Sequence, residues 1–81
     1  MTIKVALIGA GGIGNAHSHA YEHISDAQIT AVVDLRREYA EKLAAIHEAN
    51  VYTFVDEMLV RENIQMVDIC TSSFTHLEIV I

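Results

Sequence analysis

Proline and tryptophan are absent from this sequence, and cysteine occurs once, at Cys70. A single thiol allows no internal disulfide, which fits a reducing, cytoplasmic setting. With no proline and no low-complexity run, no segment reads as a linker or as disordered. Basic residues are scarce: five Lys and Arg stand against eleven Asp and Glu, for a formal net charge of −6. Such a surface repels phosphate backbones and argues against a nucleic-acid partner. Long apolar runs are missing too. The run after Lys4 lasts four residues and ends at Gly9, too short for a signal peptide or a membrane span. What remains is 81 residues, 52% hydrophobic and 20% charged, enough for one small globular domain with a thin stability margin.

Along the chain, strand and helix patterns alternate. Ile3 to Ile8 is apolar on both faces and stops at glycine, as a buried parallel strand does. From Ile13 the period changes: Ile13, Ala16, His17, Ala20 and Ile24 form one helical stripe, and Ser25-Asp26 marks a turn. Gln28 to Val33 reads as a second strand, ending at Asp34. Arg36 to His47 reads as a second helix, with Tyr39, Ala40, Leu43, Ala44 and His47 inward and a stop at Asn50. Val51 to Phe54 is a third short strand. Val55 to Arg61 is a short helix whose apolar face is Met58, Leu59 and Val60. Met66 to Cys70 is a fourth strand, and after the polar Thr71-Ser72-Ser73 a further helix is expected near Thr75, cut off at Ile81. The pattern predicts an α/β fold: a partial doubly wound parallel sheet in the order 3-2-1-4, truncated after its fourth strand.

Gly9-Ala10-Gly11-Gly12-Ile13-Gly14 is a Gly-x-Gly-x-x-Gly loop lying between the first strand and the first helix. Gly9 allows the tight turn, Gly11 lets the backbone approach a pyrophosphate, and Gly14 lets the helix pack closely. The helix N-terminus supplies N–H groups and a positive dipole end, so an acidic chain can still hold phosphates. A glycine turn alone could be merely structural. Here Asp34 ends the second strand twenty residues beyond Gly14, where a carboxylate would accept the adenosine ribose hydroxyls. Strand, loop, helix, strand and acid in register point to a dinucleotide, in the manner of a Rossmann domain. Asp34 favours NAD, because a carboxylate repels a 2′-phosphate; Arg36 or Arg37 could pair with that phosphate and keeps NADP possible.

With these residues placed, the chain resembles the N-terminal domain of the glucose–fructose oxidoreductase / inositol dehydrogenase / MocA family. Three segments carry the likeness: Val5 to His17, with a histidine three residues after the last glycine; Ile29 to Asp34; and Val67-Asp68-Ile69-Cys70-Thr71 followed by His76. The resemblance implies that Thr71, Ser72 and His76 lie along the nicotinamide end, beside the cofactor contacts Gly9, Gly11, Gly12, Ile13, Gly14, Asp34 and Arg36. Where the family has proline after the threonine, this chain has Ser72. The family's Glu-Lys-Pro motif and the histidine of its substrate domain, the usual catalytic groups, have no counterpart within residues 1–81. The chain is therefore expected to be the cofactor-binding part of an oxidoreductase acting on a sugar, polyol or related metabolite, with no catalytic residue of its own and no activity alone. A non-catalytic nucleotide sensor and an FAD enzyme are the alternatives.

The remaining candidates read as structural. His19 and His23 are one turn apart, but no carboxylate or cysteine completes a set with them or with His17, so no metal site is expected. Cys70 reads as an inert core thiol, and Tyr39 and Tyr52 as fillers between helix and sheet. The open edge of the fourth strand predicts association, as a homo-oligomer or a domain-swapped dimer.

Overall fold

The computed structural model describes residues 2–70 and the backbone of residues 76–80. Its elements in order are β1 (Ile3–Ile8), α1 (Gly12–Tyr21), β2 (Ala27–Val33), α2 (Arg37–His47), β3 (Asn50–Tyr52), α3 (Val55–Arg61), β4 (Met66–Cys70) and β5 (His76–Val80). One sheet holds all five strands, in the order β3-β2-β1-β4-β5. The first four are parallel, as the alternation of short apolar runs with helices requires. No helix among the described residues is long and apolar enough to cross a membrane.

Because side chains alternate across a strand, the sheet feeds two cores. Val5, Leu7, Ile29 and Val32 pack with Ala40, Leu43 and Ala44 of α2. On the opposite face Ala6, Ala31, Val33 and Val67 meet Tyr52, Met58 of α3 and Ile64. The swap from Ile29 to Ala31 across faces is possible because β2 bulges there: Val5 pairs with Ile29, while Ala6 pairs with Ala31. Thr30 is the extra residue, and its Oγ1 is buried without a hydrogen-bond partner. An unmatched buried hydroxyl costs about 1–3 kcal/mol. Thr30→Val keeps the β-branched shape, so urea unfolding should show it stabilised by about 1 kcal/mol; a variant less stable than the parent would mean the hydroxyl is satisfied in solution.

Several sequence expectations are corrected. The chain after Thr75 forms a strand, not a helix: β5 runs antiparallel to β4, from Cys70 opposite His76 to Met66 opposite Val80. The alternation His76-Leu77-Glu78-Ile79-Val80 has the period of a strand. The sheet is consequently not truncated after the fourth strand. β5 also covers the β4 edge whose exposure grounded the expected association.

In α1 the buried residues are Gly14 and Ser18, while Ile13 is exposed, and Ile24, three residues past the helix, is exposed too. The helix sits so close to the sheet that only small side chains fit beneath it. In α2, Tyr39 lies outside the inner face, 41% exposed, and Ala40, Leu43 and Ala44 make the contact. In α3 only Met58 is buried; Leu59 and Val60 face solvent. Three consecutive helical residues span most of the circumference, so they cannot share a face.

Ser18 of α1 hydrogen-bonds Nε2 of His47 at the end of α2, joining the two helices. Burial pushes His47 below its ordinary value of 6.5; Glu22 partly pulls it back up, and His19 pushes it further down. A lowered folded-state pKa means the unfolded chain takes up the proton first. The stability this site contributes is full above 6.5 and is lost as pH falls from there towards the lower folded value. The melting temperature should drop between pH 7.5 and 5.5, and His47→Gln should flatten that slope. An unchanged slope in the variant would assign the pH dependence elsewhere.

Candidate functional site

At the carboxyl ends of β1, β2 and β4 a cleft of about 770 Å³ opens, the crevice where parallel α/β sheets take ligands. Gly9, Gly11, Gly12, Ile13, Asp34 and Arg36 line it together. Gly9 leaves β1 at φ 100°, a conformation that favours glycine, and its N–H donates to the Val33 carbonyl at 2.8 Å. Gly14 lies under the loop: a Cβ there would stand 2.0 Å from the Gly9 carbonyl oxygen. A Cβ on Gly12 would meet nothing within 4 Å, so the loop's outer surface is open for a ligand. Asn15 Nδ2 donates to the carbonyls of Ala10 (3.1 Å) and Gly11 (2.9 Å), holding the loop's acceptors on the helix side. The first-turn N–H groups of α1 have no intrahelical acceptor, and no acidic side chain competes for them. The cradle therefore fits a pyrophosphate, and its donors need no lysine.

Asp34 is buried at the other end of the loop. Its Oδ2 accepts the Ala10 N–H at 2.8 Å, and its Oδ1 accepts the Arg36 N–H at 2.8 Å. The Arg36 guanidinium adds two bonds of 3.2 Å, Nε to Oδ1 and Nη2 to Oδ2. Burial alone would raise this carboxyl; the Arg36 side chain and the two backbone N–H groups outweigh it and hold the group below its usual 3.8. Asp34 is thus ionised at neutral pH. Arg36 is raised in turn by Asp34, and its guanidinium lies over the Tyr39 ring, 4.2 Å from the centroid. Arg37 turns away to Glu41 at 3.5 Å.

The cleft has an apolar rim that sequence reasoning missed. Leu35 (75% exposed) and Phe54 (62% exposed) flank it with Ile13 and Val55. Large apolar residues left in water beside a polar cradle are the signal that was available, since each lies two residues past a strand at the sheet's carboxyl edge. Thr71 and Ser72 fall outside the described residues, and His76 begins β5, where the backbone alone is described.

Asp68 was also missed. It is 1% exposed on β4, with its Oδ2 2.9 Å from His17 Nδ1 and 3.0 Å from the Tyr21 hydroxyl, and its Oδ1 3.3 Å from Cys70 Sγ. The structure thereby brings to His17 both a carboxylate and a thiol, their ligand atoms within 4.8 Å of one another, which sequence spacing did not show. A charged residue inside an otherwise apolar strand was the visible sign.

The chain belongs to the oxidoreductase family with an NAD-binding Rossmann fold, the Gfo/Idh/MocA family, whose pattern matches residues 3–81. It is 35% identical over 80 residues to inositol 2-dehydrogenase of Rhizobium meliloti, covering 99% of this chain and 24% of that protein. Among solved structures it is similar to a myo-inositol dehydrogenase from Corynebacterium glutamicum, with TM-score 0.81 and 30% identity over 88% of this chain and 21% of that one. It is also similar to myo-inositol dehydrogenase from Lactobacillus casei in complex with NAD(H) and myo-inositol, with TM-score 0.80 and 29% identity over 89% of this chain and 22% of that one. The chain spans about a quarter of the length of the curated relatives it matches. The resemblance read from the sequence, its Rossmann fold and its NAD-binding character all stand.

Proposed function

We propose that residues 1–81 form the N-terminal, cofactor-binding part of a dehydrogenase that moves hydride between NAD and a hydroxyl-bearing substrate of the sugar or polyol class. The observation that carries this is the Ala10–Asp34 hydrogen bond, which couples the glycine loop to the acid at the end of β2 within one cleft. The amides of the loop and α1 would hold the pyrophosphate, Asp34 the adenosine ribose, and the apolar rim of Leu35 and Phe54 the adenine. Bound NAD supplies the hydride-accepting nicotinamide; the residues of this chain bind and orient it. No described side chain lines the cleft as a general base for a substrate hydroxyl, so the chain alone binds cofactor without turnover. The inositol dehydrogenases among the relatives support the substrate class.

Arg36 sets the second cofactor preference. Its side chain occupies both Asp34 oxygens that the ribose needs, and it is half exposed and stacked on the Tyr39 ring. Once displaced, the guanidinium stands beside the 2′ position, where it can pair with a phosphate and admit NADP as the weaker ligand. Titration of the purified chain with NADH and NADPH, read by nicotinamide fluorescence, tests both points. Saturable NADH binding is expected, with NADPH weaker. Arg36→Met should weaken NADPH about ten-fold, the equivalent of 1.4 kcal/mol, and leave NADH unchanged or tighter. No saturation by NADH would overturn the cofactor reading; an unchanged NADPH affinity in the variant would overturn the role of Arg36.

A further inference from the structure

We infer that Asp68 is a positioning residue for the phosphate end of the cleft: its buried carboxylate sets the seating of α1, and through α1 the amides of Gly11 to Gly14. The inference rests on the dinucleotide reading and adds a residue that does not touch the ligand.

The argument begins with how α1 is held. α2 is anchored by Ala40, Leu43 and Ala44 in the core, but α1 buries no large apolar side chain. Its inward residues are Gly14 and Ser18, followed by the half-buried His17 and Tyr21. The Tyr21 ring packs against the core at the last residue of the helix; apolar packing, which is non-directional, gives the rest of α1 little to fix its roll or its position along its axis. Polar contacts do so instead. Tyr21 donates its hydroxyl to Asp68 Oδ2, and His17 Nδ1 meets the same oxygen. Residues 17 and 21 are one helical turn apart on one face, so two bonds a turn apart converge on a single carboxylate and oppose both rotation and sliding.

Asp68 is itself rigid. It lies in the middle of β4, where Leu7 of β1 and Glu78 of β5 are its register partners. Cys70, two residues on and on the same strand face, donates its thiol to Asp68 Oδ1, and its Cβ lies 3.9 Å from where a Gly14 Cβ would be. Cys70 also lines the cleft. The carboxylate, the thiol and the glycine thus form a continuous contact from the middle of β4 to the first turn of α1. Hydrogen bonds to a pyrophosphate need donor–acceptor distances of about 2.7–3.2 Å, so a helix displaced by an ångström loses them. A buried carboxylate is a costly way to hold a helix if stability is its only contribution; its directionality is what an apolar pair could not supply.

The experiment separates positioning from stability by ligand choice. ADP-ribose carries the pyrophosphate; adenosine carries only the ribose and base that Asp34 and the rim would hold. Both are titrated into the full chain by ¹H–¹⁵N NMR, following the amides of Gly11, Gly12 and Gly14. Asp68→Asn should weaken ADP-ribose about ten-fold, the loss of one charge-assisted hydrogen bond, and leave adenosine within about two-fold. Tyr21→Phe, which removes one donor from a half-buried site, should show the same pattern at about three-fold and carries the test if Asp68→Asn does not fold. Equal losses for both ligands would assign Asp68 to general stability and overturn the inference, as would no loss for either. Failure of the parent chain to bind ADP-ribose would instead defeat the dinucleotide reading, and this inference with it.

Discussion

Gly14→Ala is expected to remove most of the stability of this chain, although alanine favours helix over glycine by about 1 kcal/mol. The added Cβ would stand 2.0 Å from the Gly9 carbonyl oxygen and 2.9 Å from its carbon. Both are backbone atoms, so no flexible side chain can yield. Gly9 cannot yield either: its φ is 100°, and its N–H is bonded to Val33 inside the sheet. The helix would have to rise by about an ångström, lifting Ser18 from His47 and thinning the packing over Val5 and Leu7. Overpacking of this kind costs about 1–3 kcal/mol where side chains can move and more where they cannot. A chain of 81 residues has only about 5 kcal/mol in total. Gly12→Ala is the matched control, because its Cβ meets nothing within 4 Å. Urea unfolding followed by circular dichroism should show Gly12→Ala within about 1 kcal/mol of the parent and Gly14→Ala with less than half its stability. Equal stability in the two variants would show that the loop relaxes freely and that Gly14 is not what seats the helix.

The same contact explains which parts of the fold were legible in the sequence. A glycine loop leaves a clear trace because only glycine tolerates φ near 100° or a carbonyl at 2.0 Å, and the spacing from Gly14 to Asp34 reflects one helix and one strand of fixed length. The parallel order was legible for a similar reason: Val5, Leu7, Ile29 and Val32 fill one face of the sheet and Ala6, Ala31 and Val33 the other, which leaves no polar alternation. The inward face of α1 was not legible. Apolar periodicity finds the stripe Ile13, Ala16, His17, Ala20 and Ile24, whereas the residues of α1 buried against the sheet are Gly14 and Ser18, which carry no apolar signal. Tyr39 misled in the same way, since an aromatic on α2 scores as core while its ring serves as a platform for Arg36. β5 was hidden by expectation: after four strands and three helices the alternation suggested another helix, and a five-residue strand is too short for its period to prevail. Asp68 was hidden because its partners His17 and Tyr21 lie about fifty residues away in sequence, and nothing in local spacing joins them.

Asp34→Ala should weaken NADH by about 30- to 100-fold, the largest effect on binding that any single cleft residue is expected to show. The ribose hydroxyls donate to an ionised carboxylate, and each such bond contributes about 1.5–3 kcal/mol, of which 1.4 kcal/mol is ten-fold in affinity. Part of the alanine effect is structural, because the buried Ala10 N–H loses its acceptor and the loop loosens. The Arg36 pair adds little to stability, since its guanidinium is exposed. Asp34→Asn separates the two contributions. Its single amide oxygen can still accept the Ala10 N–H, so the glycine loop stays braced and the acceptor is lost only to the part-buried Arg36 N–H, while the charge that binds the ribose and repels a 2′-phosphate is gone. NADH should then fall about ten-fold with the melting temperature nearly unchanged, and the preference of NADH over NADPH should narrow. The pH dependence follows from the direction of the Asp34 shift. A carboxyl held below 3.8 keeps its contribution at all higher pH and loses it only as pH falls through that lowered value. NADH affinity should therefore show no carboxylate step between pH 8 and 5 in the parent chain. Fluorescence titrations at both pH values, with melting curves for each variant, decide the matter: if Asp34→Asn binds NADH as tightly as the parent while remaining folded, the ribose is held elsewhere and Asp34 serves only to brace the glycine loop.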